Sequence, residues 1–542
     1  MPLKFISTVV LLCLSICLQA QVNFTSSNLP IVLINTNGTG IPDEPKVSAT
    51  LKIINNGAGQ MNHIDDEPTD YDGPIGIEGR GQSSASFPKK PYGFETRDEM
   101  GENNNVSLLG MPEENDWVFH NPFSDKSLIR NAVSYTLAGK IMDYAPRVRM
   151  VEMVLNGDYR GVYLLTEKIK RDKNRVDIGT LTPESEDITG GYILKFDKGE
   201  SSEVGFTSFY PPIFGQNQRT RFLWHYPKAR DITPDQVEYI SSFIHEFEEV
   251  LQSVDFKDPV NGYRKYIDVE SFINFMFVNE LTRNVDGYRI SSFMYKDRDS
   301  EDGRLKMGPV WDFNLALGNA DYCQGGNPNG WGHDFNSFCP NDFWVINFWW
   351  KRLLQDEAFL QEVKEKWLFY RQNELSDEVI FSTIDSLSNL LTANQAADRN
   401  FRRWRILGQY VWPNNFVGVT YQAEVDYLRN WTENRLQWLD QQYNRLTDVR
   451  SPQIANVIKV YPNPSSKGQT ITFDYQLNAR VNTTIRIYNS MGQALNSLVV
   501  DKNDEERFHL FTLDYSLPAG AYYYNVVCRD AVEFSGKFIV LD

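Results

Sequence analysis

The chain has 542 residues, 41% of them hydrophobic, which leaves room for roughly three to four average domains with ordinary buried cores and excludes a disordered chain. A formal net charge of −17 removes the cationic footprint that phosphate backbones require, so nucleic acid is excluded as a partner. Six scattered histidines with no paired helical spacing and no CxxC argue against zinc, and the lack of GxxxxGK[ST] and GxSxG removes simple P-loop and serine-hydrolase chemistry.

The chain opens with Lys4, an apolar run from Phe5 to Leu18, and Leu18-Gln19-Ala20, the pattern of a signal peptide over residues 1–20 cleaved after Ala20. The run is about 14 residues, short of the roughly 20 that span a bilayer, and no later segment is longer, so no transmembrane anchor is expected. Cys13 and Cys17 follow Leu12 and Ile16, where lipid attachment needs a small residue. Downstream of the cleavage site only Cys323, Cys339 and Cys528 remain. An oxidised Cys323–Cys339 pair and three unpaired thiols are both open.

Residues 30–198 read as mostly β, with Asn156-Gly157 between two apolar runs as a hairpin signal and GGYILKFD as a later strand. From Thr233 the period turns helical. Thr233 and Gln236 are spaced as a capping box, Pro234 takes the first helical position, and Val237, Ile240, Ile244, Phe247 and Leu251 share a face. A second apolar helix, Val269 to Leu281, is followed by RNVDGYRISSFMYKDRDSEDGRLKMGPVWDFN. Its order of polar turn, strand, acidic turn and strand delivers Asp286 and Asp312 to one sheet edge, where one carboxylate can accept a proton and the other hold a metal. In DFWVINFWWKRLL the residues Val345, Phe348, Trp349 and Leu353 fit one helix face, a core stripe in preference to a sugar platform. Another helix, Leu428 to Leu446, ends near residues 450–456, where Ser451-Pro452 leads into short alternating strands. The centre is therefore α+β, a β-rich lobe before a helical one. Residues 456–542 read as a small all-β sandwich with turns at Pro462-Asn463-Pro464, Met491-Gly492-Gln493 and Ala519-Gly520.

Over roughly residues 30–445 the chain resembles the CotH family of atypical kinases, the spore coat protein H-like proteins. The resemblance rests on Asn284-Val285-Asp286, on Phe293-Met294-Tyr295-Lys296 and on Val310-Trp311-Asp312-Phe313-Asn314. Upstream it rests on GRGQSSASFPKKPYGFE (Gly79 to Glu95), DKSLIRNAVSYTLA (Asp125 to Ala138) and NGDYRGVYLLTEKI (Asn156 to Ile169). It implies an atypical protein-kinase-like domain over residues 21–450, using ATP with Mg²⁺, or Mn²⁺ in its place, to phosphorylate an unidentified protein substrate. Asp286 would be the catalytic base and Asp312 the principal metal ligand. Lys90 and Arg80 would neutralise ATP phosphates, and Gly79-Arg80-Gly81 with Ser83 and Ser84 would let the backbone approach them closely. Glu167 would orient Lys90 or lie by the nucleotide. Ser291 stands where the family has a metal-binding Asn, and Asn314 where it often has a second acid, so the metal is offered less charge.

The last module resembles the C-terminal sorting domain of type IX secretion, on VYPNP, IYNSMGQ, LPAGAYYYNV and KFIVL. That implies export through the type IX secretion machinery to the medium or the outer cell surface. Against the kinase reading stand a pseudokinase or surface adhesin, which scarce extracellular ATP would favour, and a glycoside-hydrolase acid pair formed by Asp286 and Asp312.

Overall fold

The computed structural model describes residues 22–199, 204–213, 218–446, 459–476, 483–490, 492–500, 508–513, 517–528 and 531–542. The expected signal peptide over residues 1–20, the expected boundary near 450–456 and Met491 of one sorting-domain turn lie outside them. The chain divides into two compact units, Met1–Tyr443 and Asn444–Asp542.

Within the first unit the β-rich part closes on itself. Strands Val148–Leu155, Asp158–Glu167, Asp116–His120, Tyr92–Thr96, Tyr71–Gly79, Val47–Ile54 and Ile31–Asn35 follow one another around a closed barrel. Closure comes from Ile31–Asn35 pairing in parallel with Val148–Leu155, the only parallel seam in a ring of otherwise antiparallel neighbours. Alternation along each strand sends Val32, Leu51, Ile77, Phe94, Trp117, Met153 and Leu165 into one buried cluster. The hairpin expected at Asn156-Gly157 is present. Both residues have positive φ, 51° and 77°, as a type I′ turn requires.

A second sheet runs Gly205–Thr207, Arg221–Tyr226, Tyr192–Phe196, Ser292–Lys296, Leu305–Met307, antiparallel throughout. Helices follow and pack around it. The Pro234–Gln252 helix starts at the capping box read from Thr233 and Gln236 and buries Ile240, Ile244, Phe247 and Leu251. The Val269–Thr282 helix, capped by Asp268, is buried on nearly every side, which suits its almost unbroken apolar sequence. Tyr421–Arg445 begins a turn or more before the expected start at Leu428. One expectation is corrected: only Trp349–Leu353 is helical in the aromatic segment, because Asn336 bonds both ways to the backbone of Ile346 and holds the preceding stretch irregular. Trp349 and Trp350 are nonetheless core. Cys323 and Cys339 are joined by a disulfide.

The second unit holds a three-stranded sheet (Lys459–Tyr461, Ile471–Gln476, Phe508–Leu513) and a five-stranded one (Ser465–Ser466, Ala531–Leu541, Gly520–Cys528, Thr483–Asn489, Ala494–Val500). Ile471, Ile487, Leu517, Tyr522, Tyr524, Phe538 and Val540 are buried there. Among the described residues no helix is long and apolar enough to cross a membrane.

Candidate active site

Register in the second sheet brings three strand ends to one edge. Phe196 faces Ser292, and Met294 faces Met307. The residue after the first strand, the turn before the second and the segment after the third therefore emerge side by side. They carry Asp197, Asp286 with Ser291, and Asp312 with Asn314, and all five line a cavity of about 470 Å³. That volume lies in the range of ligand pockets, roughly 300–1,000 Å³. Gly79, Arg80, Ser83, Ser84, His120 and Lys168 form the wall contributed by the barrel side. Tyr322 and Trp412 also line it, their rings stacked at 6.2 Å and 7°.

The backbone around the carboxylates is held in sparsely populated conformations. Arg283, Tyr288, Ser291 and Asp312 have φ of 44°, 69°, 49° and 63°, unusual for residues with side chains. Helix Arg130–Ala138 fixes the Asp312 end. The Asp312 amide donates to Tyr135 Oη at 2.9 Å, and the Phe313 amide donates to Asn131 Oδ1 at 2.7 Å. Asn284 ties the two acids together, donating from Nδ2 to the Asp312 carbonyl at 3.3 Å and accepting from the Asp286 amide at 3.2 Å.

Charge is concentrated here. Burial, then the Asp286 and Asp197 carboxylates, push Asp312 up to about 7, against the pull of Arg80 and Lys198. Burial also raises Asp286, with Arg289 and Lys198 opposing and Asp197 and Asp342 adding to the rise. The Arg80 guanidinium lies 5.6 Å from the centre of the Trp311 ring. Burial lowers it while Asp312 favours its charge. Burial lowers His120 to about 4, so at neutral pH this cavity histidine is uncharged.

A stability trend follows for Asp312. The group is near 3.8 when unfolded and about 7 when folded, so its ionisation costs nothing below pH 4, and the cost grows as pH rises and is complete above about 7. Asp312→Asn removes that cost. In metal-free buffer the variant is expected to melt several degrees above the wild type at pH 8, the gap closing toward pH 4; calorimetry across that range checks it.

Arg80, Asp286, Ser291, Asp312 and Asn314 are thus brought together, whereas Lys90 and Glu167 are not. Lys90 Nζ donates to the Ala85 carbonyl and lines a neighbouring cavity, and Lys89 is buried, donating to the Val162 carbonyl at 2.6 Å and Asn400 Oδ1 at 2.9 Å. Thr166 lines the cavity, as does Lys168 just past the strand end, while alternation turns Glu167 between them away from it. The Glu167 carboxylate accepts from Arg147 Nη1 at 2.9 Å and Tyr144 Oη at 3.2 Å. Sequence reasoning missed Asp197, Lys198, His120, Lys168 and Arg289. Asp197 closes a recognised strand, GGYILKFD, with Lys198 directly after it, and that terminal acid was the available signal.

Asp312, Asn314, Ser291 and Asp197 are oxygen donors of the kind a hard divalent cation takes, and the repulsion from neighbouring carboxylates that adds to burial in raising Asp312 is what such a cation would relieve.

Residues 77–439 match the family described as CotH kinase protein, and residues 459–541 match the Secretion system C-terminal sorting domain. No curated protein matches the chain. Among solved structures, the Twitchin kinase region from C. elegans is 10% identical, with 95% of this chain and 99% of that one covered and a TM-score of 0.16. The Pseudomonas fluorescens alkylpurine DNA glycosylase AlkC bound to DNA containing an abasic site analog is 11% identical, covering 39% of this chain and 59% of its own, with a TM-score of 0.13. CHIR-AB1 is 16% identical, covering 16% of this chain and 95% of its own, also at 0.13. At such TM-scores none of them carries an argument.

Proposed function

The chain belongs to the CotH kinase protein family, and from that membership we propose that it is an exported phosphotransferase moving the terminal phosphoryl group of ATP to a hydroxyl of a protein partner. The observation that carries the reading is the convergence of Asp286, Asp312 and Arg80 on one cavity. Asp286 accepts the hydroxyl proton as the acceptor oxygen attacks. Arg80, with Lys168 and Lys198 in the role first assigned to Lys90, neutralises the phosphates, and the Gly79-Arg80-Gly81 loop lets the backbone approach them. Asp312, with Asn314, Ser291 and Asp197, would hold Mg²⁺ or Mn²⁺. A divalent ion held by these residues would supply positive charge that offsets what develops on the phosphoryl oxygens. Cations flanking both acids also disfavour the glycoside-hydrolase reading, which needs an open sugar cleft between them. The signal peptide over residues 1–20 and the type IX machinery would take the chain to the medium or the cell surface.

A second reading, a nucleotide-binding pseudokinase or adhesin, is favoured by one observation: Ser291 and Asn314 offer neutral oxygens where charge would hold a metal more firmly.

Calorimetric titration with ATP and Mg²⁺ tests the site. Arg80→Ala is expected to weaken binding at least about tenfold, about 1.4 kcal/mol, while Lys90→Ala changes it less than about threefold. Equal losses in both variants would contradict this assignment of the phosphate contacts.

A further inference from the structure

The turn that carries Asp286 is flanked by two arginines, Arg283 held by one disulfide-closed loop and Arg289 by one ring of that loop and by the residues that directly follow it. Arg283 donates Nη1 to the carbonyls of Gln324 and of Asn327, the latter at 2.6 Å, and lies 5.5 Å from the centre of the Phe338 ring. Arg289 is buried. Its Nη2 donates to Asp286 Oδ1 at 3.1 Å, its Nη1 to Asp342 Oδ1 at 3.2 Å and to the Trp344 carbonyl at 2.9 Å, and its Nε to the Val285 carbonyl at 2.8 Å. Its guanidinium lies 4.1 Å from the centre of the Phe335 ring.

Gln324, Asn327, Phe335 and Phe338 all lie between the bonded Cys323 and Cys339. Asp342 follows at once. Its amide donates to the Cys339 carbonyl at 3.1 Å, and its carboxylate stays within 4.8 Å of both sulfurs. Arg289 occupies Oδ1 of Asp286, and no hydrogen bond among the described residues reaches Oδ2, the oxygen left to take a proton.

We propose that Arg289 is a positioning residue for Asp286, and that the Cys323–Cys339 disulfide holds Arg289 in place, so that the Asp286 turn is ordered only in the oxidised chain. The functional sense of this rests on the phosphotransferase reading; its structural content does not. Forming the bond removes two electrons and two protons from the two thiols. A disulfide oxidant accepts both by thiol–disulfide exchange and leaves as a dithiol. A chain kept reduced before export would thus complete its site only in an oxidising compartment.

The test uses the full chain, oxidised or treated with dithiothreitol, as wild type, Arg289→Ala, Arg289→Lys, and Cys323→Ser with Cys339→Ser. Hydrogen–deuterium exchange is followed over residues 283–291, with barrel strand Val148–Leu155 as internal reference, beside phosphoryl transfer. In the wild type, reduction is expected to raise exchange at 283–291 about tenfold or more, leave the barrel strand unchanged, and lower kcat about tenfold with KM for ATP unchanged. Arg289→Ala should begin near the reduced level and ignore the reductant, as should the double serine variant, and Arg289→Lys should recover part of the protection. Unchanged exchange at 283–291 on reduction, a parallel rise in the barrel strand, or an Arg289→Ala chain that responds like the wild type would overturn the proposal. Expected exchange with no phosphoryl transfer by any form would sink the kinase reading and leave the coupling standing.

Discussion

Asp286→Asn is expected to cut phosphoryl transfer by about 10²–10⁴-fold while ATP affinity stays within about twofold. The amide matches the carboxylate in shape, and its oxygen can still accept from Arg289, which now holds Oδ1 at 3.1 Å. What is lost is a group able to take the hydroxyl proton. Asp286 suits that task because burial raises it, while Arg289 and Lys198 keep the ionised form accessible. Initial rates with saturating ATP and Mg²⁺, set beside calorimetric ATP affinities, separate the two effects. A fall in affinity that matched the fall in rate would mean Asp286 binds nucleotide and takes no proton.

The largest loss of stability is expected at Glu280, outside the cavity. Its side chain is fully buried. The carboxylate accepts from Tyr288 Oη at 2.9 Å, the Gly332 amide at 2.7 Å, the His333 amide at 2.9 Å and Arg435 Nη2 at 3.0 Å, and pairs with His333 Nδ1 at 2.9 Å. Glu280 thereby joins the Val269–Thr282 helix to the Tyr421–Arg445 helix and to the turn that bears Tyr288 and Asp286. Glu280→Ala strands the buried Arg435 charge and is expected to cost about 3–5 kcal/mol, read from urea unfolding. Glu280→Gln should cost less, because the amide oxygen still accepts from Tyr288 or Gly332. Burial alone would raise Glu280, but the hydrogen bond and charge of His333, then Arg435, hold it down to about 2. Its contribution is therefore complete above the unfolded value of 4.5 and is lost as pH falls through about 2. The deficit of the alanine variant should persist from pH 8 to 5 and shrink in stronger acid.

Much of the site could be read from short-range pattern. Asp286 and Asp312 flank a single hairpin, and turn residues with period-2 strands put both at one edge before any long-range pairing is known. The capping box at Thr233 and the hairpin at Asn156-Gly157 were equally local. Features set by distant pairing were not legible. Asp197 reaches the same edge only because Phe196 pairs with Ser292, and barrel closure depends on Ile31–Asn35 finding Val148–Leu155 in parallel. Side-chain direction failed at two positions for the same reason. Glu167 and Lys90 sit in matched segments beside the cavity, yet one-residue alternation and a local carbonyl turn them away from it. Pairing of Cys323 with Cys339, open from composition, was settled by the fold of their shared loop.

The most direct test is transfer of labelled terminal phosphate from ATP by the full chain, with Mg²⁺ and with Mn²⁺, onto itself or a hydroxyl-bearing protein acceptor, beside Asp286→Asn and Asp312→Asn. Labelling by the wild type that disappears in both variants and in chelator is the expected result. Labelling that survives in either variant, or wild-type protein that binds ATP and metal yet transfers nothing under either ion, would contradict the account.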